Sequence, residues 1–487
     1  MKKFLEKYNS VLEPVKASLW YTICNIVNKG IALLATPIFT RVMTEEQYGT
    51  FAIFQSWYSI ILIFTSLNIF LGGYQKGLIL YKNDRDSFTS TQLGLTTVIT
   101  CVFGIVYIIH PAFWSSLFEL PPFLMLAMFA ELLFMPALEF WAAKERFDFK
   151  YKKYVAISIA MTILSLGGGV LAVINTNYKI QARVYTDVLS KVIFAGVLYL
   201  AIFAKGKKLY CKKYWKYALV FNIPLLPHYL SNYVLNQSDR IMIGKMIGAD
   251  KAAYYSVAYT ISTMMLLVTS AINNSLTPYI YKKIDDYEQN KINKEILQKD
   301  IRKTTTPLLF FSVILCLITM VFAPEVIYIF GGEKYFEAVN IVPPIALSVF
   351  FIFLYSIFSN VEYYFQETKF IALATVGSAI LNLILNYIFI KRFGYYAAGY
   401  TTLVSYICLS LMHFIFYRRI IKKKNMSHLF DIIIILTLSL FSIFVMLIIV
   451  LMYDNFVERY ALALFLIIVC IVKRKTIMTV IKERDNN

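Results

Sequence analysis

The chain has 487 residues, of which 59% are hydrophobic and only 16% charged, with a mean hydropathy of +0.62. This composition excludes a soluble globular protein and points to a polytopic membrane protein. A formal charge of +19 would suit a nucleic-acid binder, but the basic residues cluster between apolar runs, so the charge is topological and no nucleic-acid partner is expected.

The polar residues 1–15 precede an apolar run too long for an h-region and without a nearby small-residue cleavage site. The first span is therefore expected to remain in the protein. That span, 17–40, is long enough to cross about 30 Å of hydrocarbon and carries Lys29 at its middle. An ammonium there costs roughly 2.5–3.5 kcal/mol, so it should face a wet or protein-lined interior, and Asn25 and Asn28 extend the same polar stripe. Pro37 near the end of the run is expected to bend it.

Thirteen further apolar runs follow, at 50–71, 90–109, 122–142, 154–174, 181–203, 217–238, 253–277, 306–330, 340–361, 370–390, 395–417, 429–452 and 457–472. The expected fold is all-α, with about 14 transmembrane helices. In the fourth run Glu131 and Glu139 lie two turns apart on one face. Gly167, Gly168 and Gly169 in the fifth are expected to permit close packing, with no phosphate loop around them. The sixth opens with Gln181 and then places Arg183, Asp187 and Lys191 at intervals of four, on one helical face. The seventh contains Pro224 and Pro227, which should kink it, followed by His228, Asn232 and Asn236 at every fourth position. Arg41 and the Asp239–Arg240 pair fall at the ends of the first and seventh runs. The connection 278–305 spaces Ile284, Tyr287, Ile292, Ile296 and Ile301 among charges, as an interfacial amphipathic helix or a solvated linker would. Asn382 and Asn386 in the eleventh run are expected to bond between helices.

The loops alternate in charge. Those on the side of the two termini hold 36 of the 48 lysines and arginines, which puts both termini in the cytoplasm and requires an even number of spans. No exterior loop exceeds about 15 residues on this reading. The sequences around Arg41 and Arg240 are faintly alike, suggesting two parallel six-helix lobes, 1–210 and 211–425, with two additional helices and a cytoplasmic tail in 426–487. Six scattered cysteines without C-x-x-C spacing predict neither a metal site nor a disulfide framework, and no cofactor is expected.

Three stretches, TPIFTRVMTEEQYGTFAIF, NQSDRIMIGKMIGADKAAYYSVAYTIS and NLILNYIFIKRFGYYAAGYTTLVSY, resemble the flippases that export O-antigen and exopolysaccharide repeat units. These belong to the multidrug/oligosaccharidyl-lipid/polysaccharide exporter superfamily. The resemblance implies two six-helix lobes around a central cavity in the bacterial plasma membrane. Its implied substrate is a polyprenyl-diphosphate-linked oligosaccharide, turned from the inner to the outer leaflet by alternating access. A polysaccharide polymerase and glycosyltransferases are the implied partners.

A diphosphate crossing hydrocarbon needs cations, so Lys29, Arg183 and Lys191, with Asn25 and Asn28, are the expected substrate contacts. Asp187 is the one counter-charge near in sequence; the alternative is a ladder in which it neutralises both neighbours. Glu131, Asp187 and His228 are the candidates for ion coupling. Arg41, Asp239 and Arg240 are candidates for an exterior gate or for interfacial anchors, and Pro224 and Pro227 for a hinge. No enzyme motif is present. A polymerase or glycosyltransferase would be expected to carry a large exterior loop with catalytic acids, and an antiporter for cationic drugs would favour carboxylates over these bases.

The charge count makes a topological prediction. In a cysteine-free background, cysteines at Asn83, Lys207 and Lys423 should be shielded from an impermeant thiol reagent outside intact cells, whereas one at Asn455 should label. Labelling at position 207 from outside would reverse the orientation.

Overall fold

The computed structural model describes residues 12–472, and all its regular structure there is helical. The basic tails 1–11 and 473–487, which enter the topological reading, lie outside the described residues. Among the described residues, twelve helical stretches, Ala249–Glu288 counted as one, are long and apolar enough to cross a membrane. The other two expected spans are also helices: Leu226–Met246 is interrupted by polar residues, and Phe456–Val472 has 17 residues. The chain forms two compact units, 1–253 and 254–487.

In the first unit α1 (Glu13–Val42) continues through Pro37. The Thr40 hydroxyl and Arg41 Nη1 both donate to the Pro37 carbonyl, at 3.1 and 3.0 Å. α2 (Glu45–Ser66) opens with a capping box: the Thr44 hydroxyl accepts from the Gln47 N–H at 3.2 Å, and the Gln47 side chain accepts from the Thr44 N–H at 3.1 Å. This satisfies two of the backbone donors that a helix start leaves open. There follow α3 (Gly73–Leu80), α4 (Arg85–Ile109), α5 (Pro111–Phe118), α6 (Pro122–Phe147), α7 (Lys152–Ile174) and α8 (Lys179–Gly206).

The seventh expected span is broken where its prolines predict. α9 (Lys212–Asn222) gives way to a 3₁₀ turn, Ile223–Leu225, and then to α10 (Leu226–Met246). Pro224 sits in the turn and Pro227 in the first turn of α10, where a missing N–H does least harm. α10 runs about two turns beyond the expected boundary at 238. Asp239 and Arg240 are therefore buried within the helix, which corrects their placement at its end. The packing of α10 on α2 explains the extension. A Cβ on Gly49 would lie 1.6 Å from the carbonyl oxygen of Ala249, just past the end of α10, so that position admits no side chain, whereas one on Gly244 would meet only the tip of the Ile53 side chain, at 2.4 Å. Polar residues that would end a lipid-facing helix are instead enclosed by a neighbour.

α11 (Ala249–Thr263) leads into the second unit and, after a break at Met264, continues as α12 (Met265–Glu288). α13 (Lys294–Val321), α14 (Ala323–Gly331), a 3₁₀ segment (Glu333–Ile341), α15 (Val342–Tyr364), α16 (Thr368–Phe393), α17 (Tyr396–Lys423), α18 (Ile432–Leu451) and α19 (Phe456–Val472) complete it. α15 is the core helix, packed by α12, α13, α17 and α18.

The connection 278–305 is neither an interfacial helix nor a linker. α12 and α13 extend through it and are joined by a short turn at 289–293. Ile284, Leu297 and Ile301 are buried, and Lys283 pairs with Asp300 at 2.5 Å. The apolar spacing seats one helix extension on the other.

The close approach at Gly49 can be tested against an open position. Gly49→Val should destabilise the protein by about 1–3 kcal/mol, read as a lower thermal midpoint in detergent. Gly104→Val, whose Cβ would meet nothing within 4 Å, should leave the midpoint unchanged.

Candidate functional site

The helical spacing of Arg183, Asp187 and Lys191 places them along one face of α8, and Lys191 stands about 18 Å along the axis from Lys179, near mid-span. Charges at that depth need partners, and helices α2, α6 and α7 supply them. Lys191 Nζ lies 2.8 Å from Asp187 Oδ2 and 2.7 Å from Glu131 Oε1 of α6. Asp187 also accepts from the Ser165 hydroxyl of α7 at 2.5 Å and from Gln55 Nε2 of α2 at 3.0 Å. Arg183 Nη1 is 3.9 Å from Asp187 Oδ1. Its guanidinium lies between the rings of Phe39 and Phe51, 4.4 and 4.2 Å from their centroids, where the ring faces attract it.

Gly168 and Gly169 of α7 face α8 at close range. A Cβ on Gly169 would come within 3.4 Å of both Arg183 Nη1 and the Phe39 ring, and one on Gly168 within 3.2 Å of Thr186; Gly167 faces open space.

The result differs from a net-positive trio. Glu131 is a second counter-charge 60 residues away in sequence, so the two cations of α8 meet two carboxylates and the cluster is formally neutral. Each buried charge is compensated, which avoids the several kcal/mol cost of an unpaired ion. The Tyr58 hydroxyl is buried beside the Glu131 carboxylate, and the Tyr58 ring is 5.6 Å from Lys191 Nζ. Gln55, Tyr58, Ser165, Phe39 and Phe51 had no sequence signal, because their relevance comes only from packing against α8.

Lys29 is not part of the cluster. It is exposed on α1 and has no ion pair among the described residues. Asn25 is exposed beside it, whereas Asn28 turns to α7 and donates to the Ser158 hydroxyl at 2.7 Å. His228 contacts Asn232 one turn on, Nε2 to Nδ2 3.3 Å. Arg240 Nη1 donates to the Asn236 carbonyl at 2.7 Å and to Gln237 Oε1 at 3.0 Å, and Gln237 Oε1 also accepts from the Ser56 hydroxyl. Glu139 is half-buried on α6.

The second unit has its own polar core. Asn386 Nδ2 donates to Asn382 Oδ1 at 3.1 Å, and Thr401 and Thr402 of α17 bond to these asparagines of α16, the interhelical role expected of them. Sequence reading missed Glu362 and His413, which meet in the interior at 2.9 Å. Among the described residues no group of three His, Cys, Asp or Glu is arranged to hold a metal ion.

Each unit is a bundle of apolar helices with polar residues buried inside it. Solved structures match the fold over most of the chain. The structure of the lipid II flippase MurJ in an inward closed conformation is 17% identical, covers 94% of this chain and 100% of its own, and has a TM-score of 0.69. An inward-facing multidrug resistance MATE family transporter is 15% identical, covers 82% and 96%, and has a TM-score of 0.61.

The polysaccharide biosynthesis protein family model matches residues 15–284, more than half of the sequence, and the chain belongs to that family. The MatE model also matches, at residues 224–388. Relatives include a protein of the Lsg locus of Haemophilus influenzae, 23% identical over 75% of this chain and 88% of its own. Another is the "Probable low-salt glycan biosynthesis flippase Agl15" of Haloferax volcanii, 20% identical over 82% and 83%.

The cluster predicts a specific rescue. Lys191→Met leaves Glu131 and Asp187 without their shared ammonium and should cost about 3–5 kcal/mol. Adding Glu131→Gln removes one stranded charge and should restore part of the thermal midpoint. Simple additivity of the two losses would show that these residues do not act as one network.

Proposed function

We propose that the protein is a flippase in the bacterial plasma membrane, with both termini in the cytoplasm. It carries polyprenyl-diphosphate-linked oligosaccharide repeat units from the inner to the outer leaflet for surface polysaccharide assembly, by alternating access and without catalysing a reaction. The family match over residues 15–284 carries this reading most strongly. The glycan-flippase name of one relative and the exposed cation of α1, Lys29, support it.

In this reading Lys29, with Asn25, meets the diphosphate as an uncompensated cation, and charge-assisted hydrogen bonds offset part of its cost in the membrane. Arg183, Asp187, Lys191 and Glu131 act differently, as a balanced internal network that responds to ions. A proton on Glu131 removes one of the two counter-charges of Lys191, leaving the site positive and favouring an anion. His228 is a second ion-coupling group beside the Pro224–Pro227 hinge. Arg41, Asp239 and Arg240 belong to the exterior gate. The glycan leaves to a polymerase, and glycosyltransferases supply it.

The test is complementation in cells lacking the gene. Loss of the protein should abolish the surface glycan and accumulate its lipid-linked unit on the inner leaflet. Lys29→Ala should lower export about tenfold or more at normal protein level, the equivalent of about 1.4 kcal/mol of lost charge-assisted bonding, and Lys29→Arg should retain part of it. Normal export by Lys29→Leu would remove Lys29 from the substrate path. The MatE match favours a second reading, efflux of small cations, which predicts drug sensitivity with an unchanged surface glycan.

A further inference from the structure

The end of α17 carries a basic cavity that the transport reading does not use. Its volume is about 470 Å³, and Ile415, Arg418, Arg419, Lys422, Met426 and His428 line it together with Ile421. No carboxylate is among these residues. Arg418, Arg419 and Lys422 form no ion pair among the described residues, whereas the next two lysines do: Lys423 pairs with Glu367 at 3.2 Å and Lys424 with Glu288 at 3.4 Å. Arg418 and Lys422 share one side of the helix, Arg419 lies between that side and Lys423, and Lys424 faces away, so ion pairing separates the free cations from the neutralised ones.

The same side continues into the apolar part of α17 as Ile415 and Leu411, which are 54% and 52% exposed. Positions 411, 415, 418, 419 and 422 follow helical spacing, so one continuous strip changes from exposed apolar to cationic over about 16 Å. A molecule filling it needs a hydrocarbon tail on the membrane side and an anion at the end of the helix.

The cavity wall beyond α17 is also poised for an anion. His428 Nδ1 is buried without a hydrogen-bond partner. The His428 carbonyl is held by Gln298 Nε2 at 3.0 Å and Arg302 Nη2 at 3.2 Å, and Arg302 in turn faces Asp431 at 3.9 Å. Burial, followed by the charges of Arg418 and Arg302, pushes the His428 imidazole below its ordinary pKa.

We propose that this cavity is a binding site for the phosphodiester headgroup of an anionic phospholipid, held by Arg418, Arg419 and Lys422, with an acyl chain lying along Ile415 and Leu411. The phosphate would supply the counter-charge that these three residues lack, and the site lies on the face that the loop charges assign to the cytoplasm, where anionic lipids attract basic segments. It is separate from the residues proposed to handle the transported glycan.

The experiment compares two double variants with equal loss of charge, Arg418→Gln/Lys422→Gln and Lys423→Gln/Lys424→Gln. Native mass spectrometry of the full chain is used to titrate phosphatidylglycerol, phosphatidylcholine with the same chains, and soluble glycerol phosphate. The proposal expects wild type to prefer phosphatidylglycerol, the first variant to bind it about tenfold more weakly, and the second to match wild type. Equal weakening in both variants, or in neither, would overturn it. Glycerol phosphate binding as well as the lipid does would also overturn it, since the apolar strip would then contribute nothing. A readout on unmodified protein guards against misfolding of the variants. In nanodiscs, replacing phosphatidylcholine by phosphatidylglycerol should raise the titration midpoint of the His428 imidazole NMR signal, and an unchanged midpoint would contradict an anion bound beside it.

Discussion

Two cations of α8 and two carboxylates, enclosed between helices within the span, are the constraint from which the first unit is best understood. A lone ammonium at that depth is expensive, and a pair is stable only if geometry and hydrogen bonds compensate both ions. Lys191 meets that condition by reaching Asp187 on its own helix and Glu131 on α6, while Ser165 and Gln55 complete the Asp187 carboxylate from α7 and α2. Arg183, lacking a close bidentate partner, is received by two aromatic faces. Helices that could otherwise slide as greasy rods are thereby fixed in rotation and register.

The second unit uses a different chemistry. Neutral amides and hydroxyls join α16 to α17, and a carboxylate and an imidazole join α15 to α17. Near its last helix, Arg459 and Glu325 form a bidentate pair with both contacts at 2.6 Å, and Tyr460 donates to the same carboxylate at 2.8 Å. That geometry ties α19, at 17 residues a short helix for a membrane, to the end of α13 and α14. The MurJ and MATE neighbours show the fold that both units share with solved transporters.

Much of this was legible from the sequence because membrane architecture is dictated by solvent. Apolar runs locate helices, Pro224 and Pro227 locate the break between α9 and α10, and Asn382 and Asn386 declare an interhelical bond. What was not legible required contacts distant in sequence. Glu131 looked like an isolated acid until α6 was seen against α8, so the charge balance of Lys191 came out wrong by one carboxylate. The end of α10 was misplaced because a polar run such as Asn236 to Arg240 resembles a boundary unless the packing of α10 on α2 is known. Of the residues spaced along 284–301, Ile284 and Ile301 are buried while Ile296 is exposed and Leu297 takes its place, and periodicity does not say whether the apolar partner is lipid or another helix.

The most direct test of the account is transport by the purified protein alone. Proteoliposomes would be loaded with a polyprenyl-diphosphate-linked oligosaccharide in the inner leaflet, and its appearance outside would be followed with an impermeant glycosidase. The account predicts that wild type exposes the glycan much faster than empty liposomes and that Lys29→Ala slows exposure about tenfold. Identical rates for wild type, Lys29→Ala and empty vesicles would contradict it.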